Sequence, residues 1–312
     1  MKKTKIFIDG KEGTTGLRIF ERLNIRDDIE LITLPEEKRK DVVSRKEALN
    51  SCDIAFLCLP DAAAKESVSL IDNPDVRVID TSTAHRTEPD WAYGFPELSS
   101  ALLEKIRNSK RVAVPGCHAS GFIALVYPLV ESGILPADTL LTCHSITGYS
   151  GGGKKMIAEY EDGSRSKKYA APRQYALTQE HKHLKEMKAI TGIENAPVFC
   201  PIVSDFYSGM AVTVPLFKAN LSEGKTVEDI INTYKSLYNG IFVRYTEDLG
   251  EDAMLNANAL SVKDCMEITV QGNDERILLI ARYDNLGKGA SGAAVECMNI
   301  LMGVDPATGL SL

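Results

Sequence analysis

The run Lys5-Ile6-Phe7-Ile8-Asp9 is short, apolar and β-rich. It leads into the turn Gly10-Lys11-Glu12-Gly13-Thr14-Thr15-Gly16, and then into residues 17–23, where Leu17, Ile19, Phe20 and Leu23 share one helical face. Strand, glycine loop and helix in that order constrain the fold because the rhythm recurs. Residues 29–34 and 53–59 read as strands, 62–71 as a helix and 76–80 as another strand. Strands alternating with helices require crossover connections, which give a parallel sheet covered on both faces. From about residue 139 the runs 140–147, 197–203, 211–217, 241–245, 266–271 and 277–283 follow one another with few helices between them, at 184–190 and at 227–238 with Thr226 or a neighbour as cap. The expected fold is α/β, a Rossmann-type parallel-sheet domain plus an α+β domain with a mixed, largely antiparallel sheet. Residues 290–302 read as a last helix. The glycine-rich patch 148–155, with the polar stretch to about Arg173, reads as a long functional loop or lid.

Charge narrows the partners. Lys plus Arg (36) against Asp plus Glu (43) leaves a net charge of −7 in 312 residues, which argues against binding nucleic acid or an anionic membrane and favours a small molecule. The longest nearly apolar stretch, 121–130, is too short to span a bilayer, and the start of the chain leads straight into a strand, so an unexported protein is expected. The seven cysteines are odd in number and lack CxxC spacing, which fits a reducing cytoplasm and no metal site.

Three further segments carry chemistry. Gly10, Gly13 and Gly16 form a GxxGxxG variant of the dinucleotide fingerprint, in a loop that also holds Thr14 and Thr15. A tight structural turn is the alternative, but placement at the first strand–helix junction favours a dinucleotide. After the second strand, Lys38, Arg39 and Lys40 lie where a ribose 2′ group would come, which favours NADP over NAD, although such a charge run also suits a solvated face. Cys117 follows the apolar run 112–114 and precedes the helical segment 122–130, so the positive end of a helix would favour its thiolate and stabilise an oxyanion formed on attack. The other six cysteines read as small buried hydrophobes. Among the five histidines, His181 and His183 sit at a helix start, as acid–base partners of a thiol or as a surface pair. His144 reads as a satisfied core group in a strand, and His118 as a residue merely flanking the thiol. Arg86, in the segment after the strand 76–80, offers a planar fork for phosphate or carboxylate, with a plain surface arginine as the alternative.

Together these segments resemble N-acetyl-gamma-glutamyl-phosphate reductase, the NADP-dependent enzyme of arginine biosynthesis, in particular its shorter subfamily. The resemblance runs along nearly the whole chain. It rests on GxxGxxG at 10–16, the strand end 56–61 with Pro60 and Asp61, residues 78–86 with 91–97, Pro115-Gly116-Cys117, Gly148-Tyr149-Ser150-Gly151, HxHxxE at 181–186 and residues 284–290. It implies Cys117 as the nucleophile that displaces phosphate to give a thioester, and His181 as the acid–base group, with His183 the other candidate. It further implies substrate contacts at Arg86, Ser150, Tyr175, His183 and Glu186, and cofactor contacts at Gly10, Gly13, Thr14, Thr15, Gly16, Pro60, Ser82 and Asn285. The implied organisation is an NADP-binding domain, 1–116, completed by about 286–312, and a catalytic and dimerisation domain, 117–285, in a homodimer or homotetramer. The chain departs from the longer subfamily in a shortened nucleotide domain and in Asp61, where the longer form tends to have histidine. A carboxylate resists hydride whereas an acyl group on sulfur accepts it, so thiol, nicotinamide and anion site suit reductive dephosphorylation of an acyl phosphate to a semialdehyde. Reductases of aspartyl phosphate or an aminoadipate derivative, a non-redox Cys–His hydrolase, and a nucleotide-responsive regulator are the competing readings.

Overall fold

Side chains alternate along the strands that open the chain, and both sets are apolar, so both faces of their sheet must be covered. The computed structural model, which describes residues 3–248 and 252–312, builds this sheet from β1 (Thr4–Asp9), β2 (Ile29–Ile32), β3 (Ile54–Leu57), β4 (Arg77–Asp80), β5 (Ala92–Tyr93) and β6 (Arg111–Ala113). Their order is β2-β1-β3-β4-β6-β5, and every neighbouring pair is parallel. The helices are α1 (Thr14–Leu23), α2 (Val42–Ser51), α3 (Asp61–Ser69) and α4 (Ser100–Asn108). Ile6, Ile8, Ile54, Phe56, Ile79 and Val112 face one way, against Ile19 and Leu23 of α1, Ile106 of α4 and residues 293–301 of the helix Gly292–Met302. Phe7, Ala55, Leu57, Val78 and Ala113 face the other, against Ala48 and Leu49 of α2 and Ala64 of α3. α2 has no clear apolar signature in the sequence. Its buried face is Arg45, Ala48 and Leu49, so a buried cation interrupts the apolar stripe.

This first compact unit comprises Met1–Pro96, Ser100–Gly116 and Ala290–Leu310, and the second Glu97–Ser99, Cys117–Gly289 and Ser311–Leu312. In the second lie α5 (Cys117–Glu131), β7 (Thr142–Gly148), α6 (Gly153–Glu161), β8 (Arg173–Gln174), α7 (His183–Thr191), β9 (Val198–Ser204), β10 (Met210–Phe217), α8 (Val227–Leu237), β11 (Val243–Tyr245), β12 (Met266–Gly272) and β13 (Arg276–Tyr283). The sheet runs β11-β12-β13-β10-β7-β9-β8, parallel at β7–β9 and β11–β12 and antiparallel elsewhere. It is the mixed sheet expected. α5 is apolar on nearly all sides and buried accordingly. A Cβ at Gly121 would lie 2.7 Å from both the Tyr283 hydroxyl and the Val212 side chain, so glycine sets how closely α5 approaches β10 and β13. Pro128 has no N–H to give the Ala124 carbonyl, and the Tyr238 hydroxyl donates to that carbonyl instead at 2.7 Å.

Two expectations are corrected. The stretch from 150 to 173 is not a long loop: it holds a 3₁₀ turn at Tyr149–Gly152, then α6, then a second turn at Lys167–Ala170. Stacking of Tyr149 on Tyr160, with ring centres 4.8 Å apart, and a bidentate Arg165–Asp205 pair at 2.7 and 2.6 Å tie it down. Glycines and lysines at its start hid the helix. His144 is not a core group either. Cys143 and Ser145 point inward from β7, so period-two alternation puts His144 on the outer face, where it is exposed beside Ile146. The last helix is entered through a π turn at Gly287–Ser291. No described helix is long and apolar enough to cross a membrane.

Candidate active site

At the end of β1 the chain turns at Gly10 with φ +86°, and a Cβ there would sit 2.3 Å from the Cys58 carbonyl oxygen, so no other residue fits. A Cβ at Gly16 would meet the Gly10 carbonyl oxygen at 2.5 Å, whereas Gly13 has ordinary φ and a Cβ there would make only ordinary contacts, the nearest at 3.5 Å. Gly13 is the N-cap of α1 and has no side chain to satisfy the first amides of that helix. The Thr14 hydroxyl is buried with no hydrogen-bond partner among the described residues. Beside the loop opens a cleft of about 390 Å³ lined by Gly10, Lys11, Glu12, Thr33, Arg39 and Lys40, among others. Bare amides, an orphan hydroxyl and a cation-bearing cleft fit the phosphates and adenosine of a dinucleotide. Arg45, at the floor, donates to Asp9, Glu66 and Ser67 and so is committed to the protein. Arg39 instead reaches over the cleft between Glu12 (3.4 Å) and Glu36 (2.7 Å). Thr15 lies in the first turn of α1 and Pro60 is the N-cap of α3. The Ser82 hydroxyl donates to Asp80 at 2.7 Å and accepts the Ala84 N–H.

In the second unit the half-buried Cys117 is the first residue of α5. The Tyr283 hydroxyl is inserted into the opening turn of that helix: it accepts the Gly121 N–H at 3.0 Å and donates to the Cys117 carbonyl. Two imidazoles gather around that of His118, the residue that follows Cys117. The centre of the His118 ring lies 5.8 Å from that of His181 and 5.7 Å from that of His183, and His181 and His183 are 4.7 Å apart. Phe199 packs edge-on against His118 and His181. His183 and Glu186 are buried on the inner face of α7, while His181 is half-exposed just before it. The His181 Nδ1 accepts the His183 backbone N–H at 3.2 Å, so the neutral ring carries its hydrogen on Nε2. Burial, with Lys182 adding to it, pulls the His181 pKa down to about 4, and the ring is neutral at pH 7. Ser150 and Asn285 are both buried and bonded to each other, Asn285 Nδ2 donating to Ser150 Oγ at 3.0 Å and its Oδ1 accepting the Gly209 N–H. The neighbouring Asp284 accepts the Leu286 and Gly287 amides and the Ser208 hydroxyl, and so fixes the turn that leads to Gly289, where an added Cβ would lie 3.2 Å from Cys117 Cβ.

A family model described as the semialdehyde dehydrogenase dimerisation domain matches residues 117–285, and the semialdehyde dehydrogenase NAD binding domain matches 5–106. Relatives named N-acetyl-gamma-glutamyl-phosphate reductase include one from Sinorhizobium medicae, 47% identical over 96% of this chain and 99% of its own length. Another, from Nostoc, is 44% identical over 99% and 100%. The chain belongs to the N-acetyl-gamma-glutamyl-phosphate reductase family. Its fold is that of the semialdehyde dehydrogenases. An aspartate semialdehyde dehydrogenase II from Vibrio cholerae superposes with a TM-score of 0.73 at 17% identity over 97% of this chain and 99% of that one, and the enzyme from Francisella tularensis with 0.72 at 14% over 96% and 100%.

Against this reductase framework, two expectations shift. Arg86 is not an open fork: it is buried, Nε donating to the Val114 carbonyl at 2.8 Å and a terminal nitrogen to that of Thr81 at 2.9 Å, which ties down the strand end that leads toward Cys117. His118 does more than flank the thiol, since both its nitrogens are engaged, Nδ1 with Ser145 Oγ and Nε2 with Tyr175 Oη, each at 2.6 Å. Tyr283 and Ser145 were missed entirely. Each lies in a strand outside the Cys117 segment, where nothing but the sheet register reveals that its hydroxyl points at α5.

Proposed function

We propose that the chain is an NADP-dependent reductase that converts N-acetyl-gamma-glutamyl phosphate to N-acetylglutamate 5-semialdehyde and inorganic phosphate, a step of arginine biosynthesis. The observation that carries this reading is the thiol at the start of a buried helix, with the imidazoles of His181 and His183 gathered around that of the next residue. Helix amides and dipole favour the Cys117 thiolate. That thiolate attacks the acyl carbon, the bond from carbon to the phosphate oxygen breaks, and a thioester remains on Sγ. When bound, the nicotinamide supplies the hydride that reduces the thioester. His181 offers its Nε2–H to the oxyanion of the resulting thiohemiacetal, as the first amides of α5 do. When the C–S bond breaks, the oxyanion becomes the aldehyde oxygen and Cys117 recovers its charge.

The other assignments belong to the same proposal. His181, rather than the buried His183, is the acid–base group because it is the more exposed of the two. Ser150, Tyr175, His183 and Glu186 hold the substrate's carboxylate, acetamide or phosphate, and Arg86 steadies the approach to the thiol. Gly10, Gly13, Thr14, Thr15 and Gly16 cradle the pyrophosphate, Pro60 and Ser82 line its path, Asn285 belongs to the nicotinamide site, and Arg39 with Lys40 receives the 2′-phosphate. Residues 1–116 with about 286–312 form the NADP-binding domain, and 117–285 the catalytic and dimerisation domain. The outer face of the second sheet, where Ile146 (37% exposed) and Leu278 (39%) stand open, is a natural seam for a homodimer or homotetramer in the cytoplasm. The test is reduction of NADP by the enzyme with N-acetylglutamate 5-semialdehyde, with and without phosphate. Phosphate-dependent turnover that exceeds turnover with aspartate semialdehyde is expected. A preference for aspartate semialdehyde, or turnover independent of phosphate, would overturn the reading.

A further inference from the structure

We infer that Ser145, His118 and Tyr175 form a hydroxyl–imidazole–hydroxyl chain polarised from its buried end, so that Tyr175 presents its O–H hydrogen, not a lone pair, to an oxygen of the acyl substrate. The inference rests on the reductase reading above for the identity of that substrate. Its geometry is two contacts of 2.6 Å, from Ser145 Oγ to His118 Nδ1 and from His118 Nε2 to Tyr175 Oη.

Ser145 is wholly buried on the inner face of β7, between Val212 of β10 and Pro201 of β9. Among the described residues, His118 Nδ1 is the one hydrogen-bond partner of its hydroxyl. Were Nδ1 to carry the ring hydrogen, the serine hydrogen would be buried with nothing to accept it, at a cost of about 1–3 kcal/mol. The serine therefore donates to Nδ1. A neutral ring then has its hydrogen on Nε2 and gives it to Tyr175 Oη. Burial, reinforced by His181, pulls the His118 pKa down to about 3, so the ring stays neutral and the direction of the chain does not change with pH in the working range. The rings packed against it are those of Tyr175, His181, His183 and Phe199; the acidic groups at the starts of the helices around it are Cys117, next to it on α5, and Glu186, on the inner face of α7.

Tyr175 thus receives one hydrogen bond from inside and keeps its own hydrogen for the site. Burial and the nearby Cys117 raise its pKa, so the phenol remains protonated. The loop is built to hold it there: Ala176 and Gln179 adopt positive φ (+51° and +60°), and Gln179 pins the loop to the backbone of Phe199 with two bonds of 2.8 Å. Tyr175 selects for an acceptor on the substrate, and His118 is a positioning residue that acts through it.

The experiment is a long-range proton–nitrogen correlation spectrum of protein labelled in its histidine rings, taken without substrate, with His118 assigned from His118→Asn. A neutral His118 ring protonated at Nε2 across the neutral range is expected. Protonation at Nδ1, or a ring that titrates near neutrality, would overturn the inference. Because no substrate is present, this result stands or falls apart from the reductase reading, which phosphate-dependent turnover tests. A kinetic arm follows. Tyr175→Phe and Ser145→Ala are each expected to raise KM for the semialdehyde about 10-fold with NADP affinity unchanged, and Ser145→Thr to restore it. If Ser145→Ala leaves KM where it was, the serine does not polarise the chain.

Discussion

α1 and α5 each start directly behind a glycine, Gly13 and Gly116, a residue with no side chain of its own to cap the positive end of the helix. From there they diverge. The first turn of α1 is bare: no side chain bonds its amides, no acidic residue sits in it, and the Thr14 hydroxyl has no partner among the described residues. The first turn of α5 is bonded into its surroundings, through Tyr283 between the Cys117 carbonyl and the Gly121 amide and through His118 to Ser145 and Tyr175. In the proposed reaction the same end charge serves a ligand that comes and goes where side chains are withheld, and a covalent nucleophile where side chains from the sheet hold the turn in place.

Substitutions at the two helix starts should then fail in different ways. The largest effect is expected for Cys117→Ser, which leaves the turn intact and removes the proposed nucleophile. Phosphate-dependent oxidation of the semialdehyde should fall by roughly 10⁴-fold or more, while NADP affinity, measured by fluorescence titration, stays as it was. Retained turnover would remove α5 from the chemistry. Gly10→Ala attacks the other side, since its Cβ would need the space of the Cys58 carbonyl oxygen at a φ of +86°. A loss of about 2–3 kcal/mol in urea unfolding, together with loss of NADP binding, is expected. Gly13→Ala, with its nearest neighbour 3.5 Å away, should cost under about 1 kcal/mol. Equal losses at both positions would mean that the loop is not shaped by close approach.

How far each helix start could be read from sequence follows from the same contrast. The start of α1 was legible because its glycines are close together in sequence, between an apolar run and an amphipathic helix. The place of Cys117 at a helix start was legible for the same reason, and the parallel and mixed sheets followed from the spacing of their strands. What holds Cys117 in place was not. Tyr283 and Ser145 read as ordinary strand residues, and only pairing of Met210 with Tyr283 and of Val212 with Ser145 brings both under α5. His144 and Ser145 show the limit at the scale of one residue, because a polar side chain in an apolar strand can face either way until the register is known. α6 was missed because glycine and lysine at its start suit a loop as well as a helix, and the stacking of Tyr160 on Tyr149 that settles the matter is tertiary.

Tyr283→Phe tests the bonding within the α5 turn itself. Without the hydroxyl, the Gly121 amide and the Cys117 carbonyl can pair directly as in any helix, so the loss of stability should be small, about 1 kcal/mol. The thiol, however, moves as the turn tightens. A fall in kcat of roughly 30-fold, with NADP affinity unchanged, is expected from a displacement of that kind. If stability drops and kcat does not, Tyr283 is merely packing.

The smallest effect is expected at the cleft beside α1, where Arg39 lies between Glu12 and Glu36. Those carboxylates hold the guanidinium over the cleft and also compete for it, so a 2′-phosphate gains only the difference between two exposed ion pairs, each worth about 0.2–1 kcal/mol. Arg39→Ala should therefore weaken NADP binding by about 5-fold and leave NAD binding alone, and Glu12→Gln, which removes the more distant competitor, should tighten NADP by about 2-fold. Both effects should shrink as salt is raised, because the groups are solvent-exposed. If Arg39→Ala weakens NAD and NADP alike, the arginine shapes the cleft, and discrimination at the 2′ position falls to Lys40 or Lys11, which line it as well.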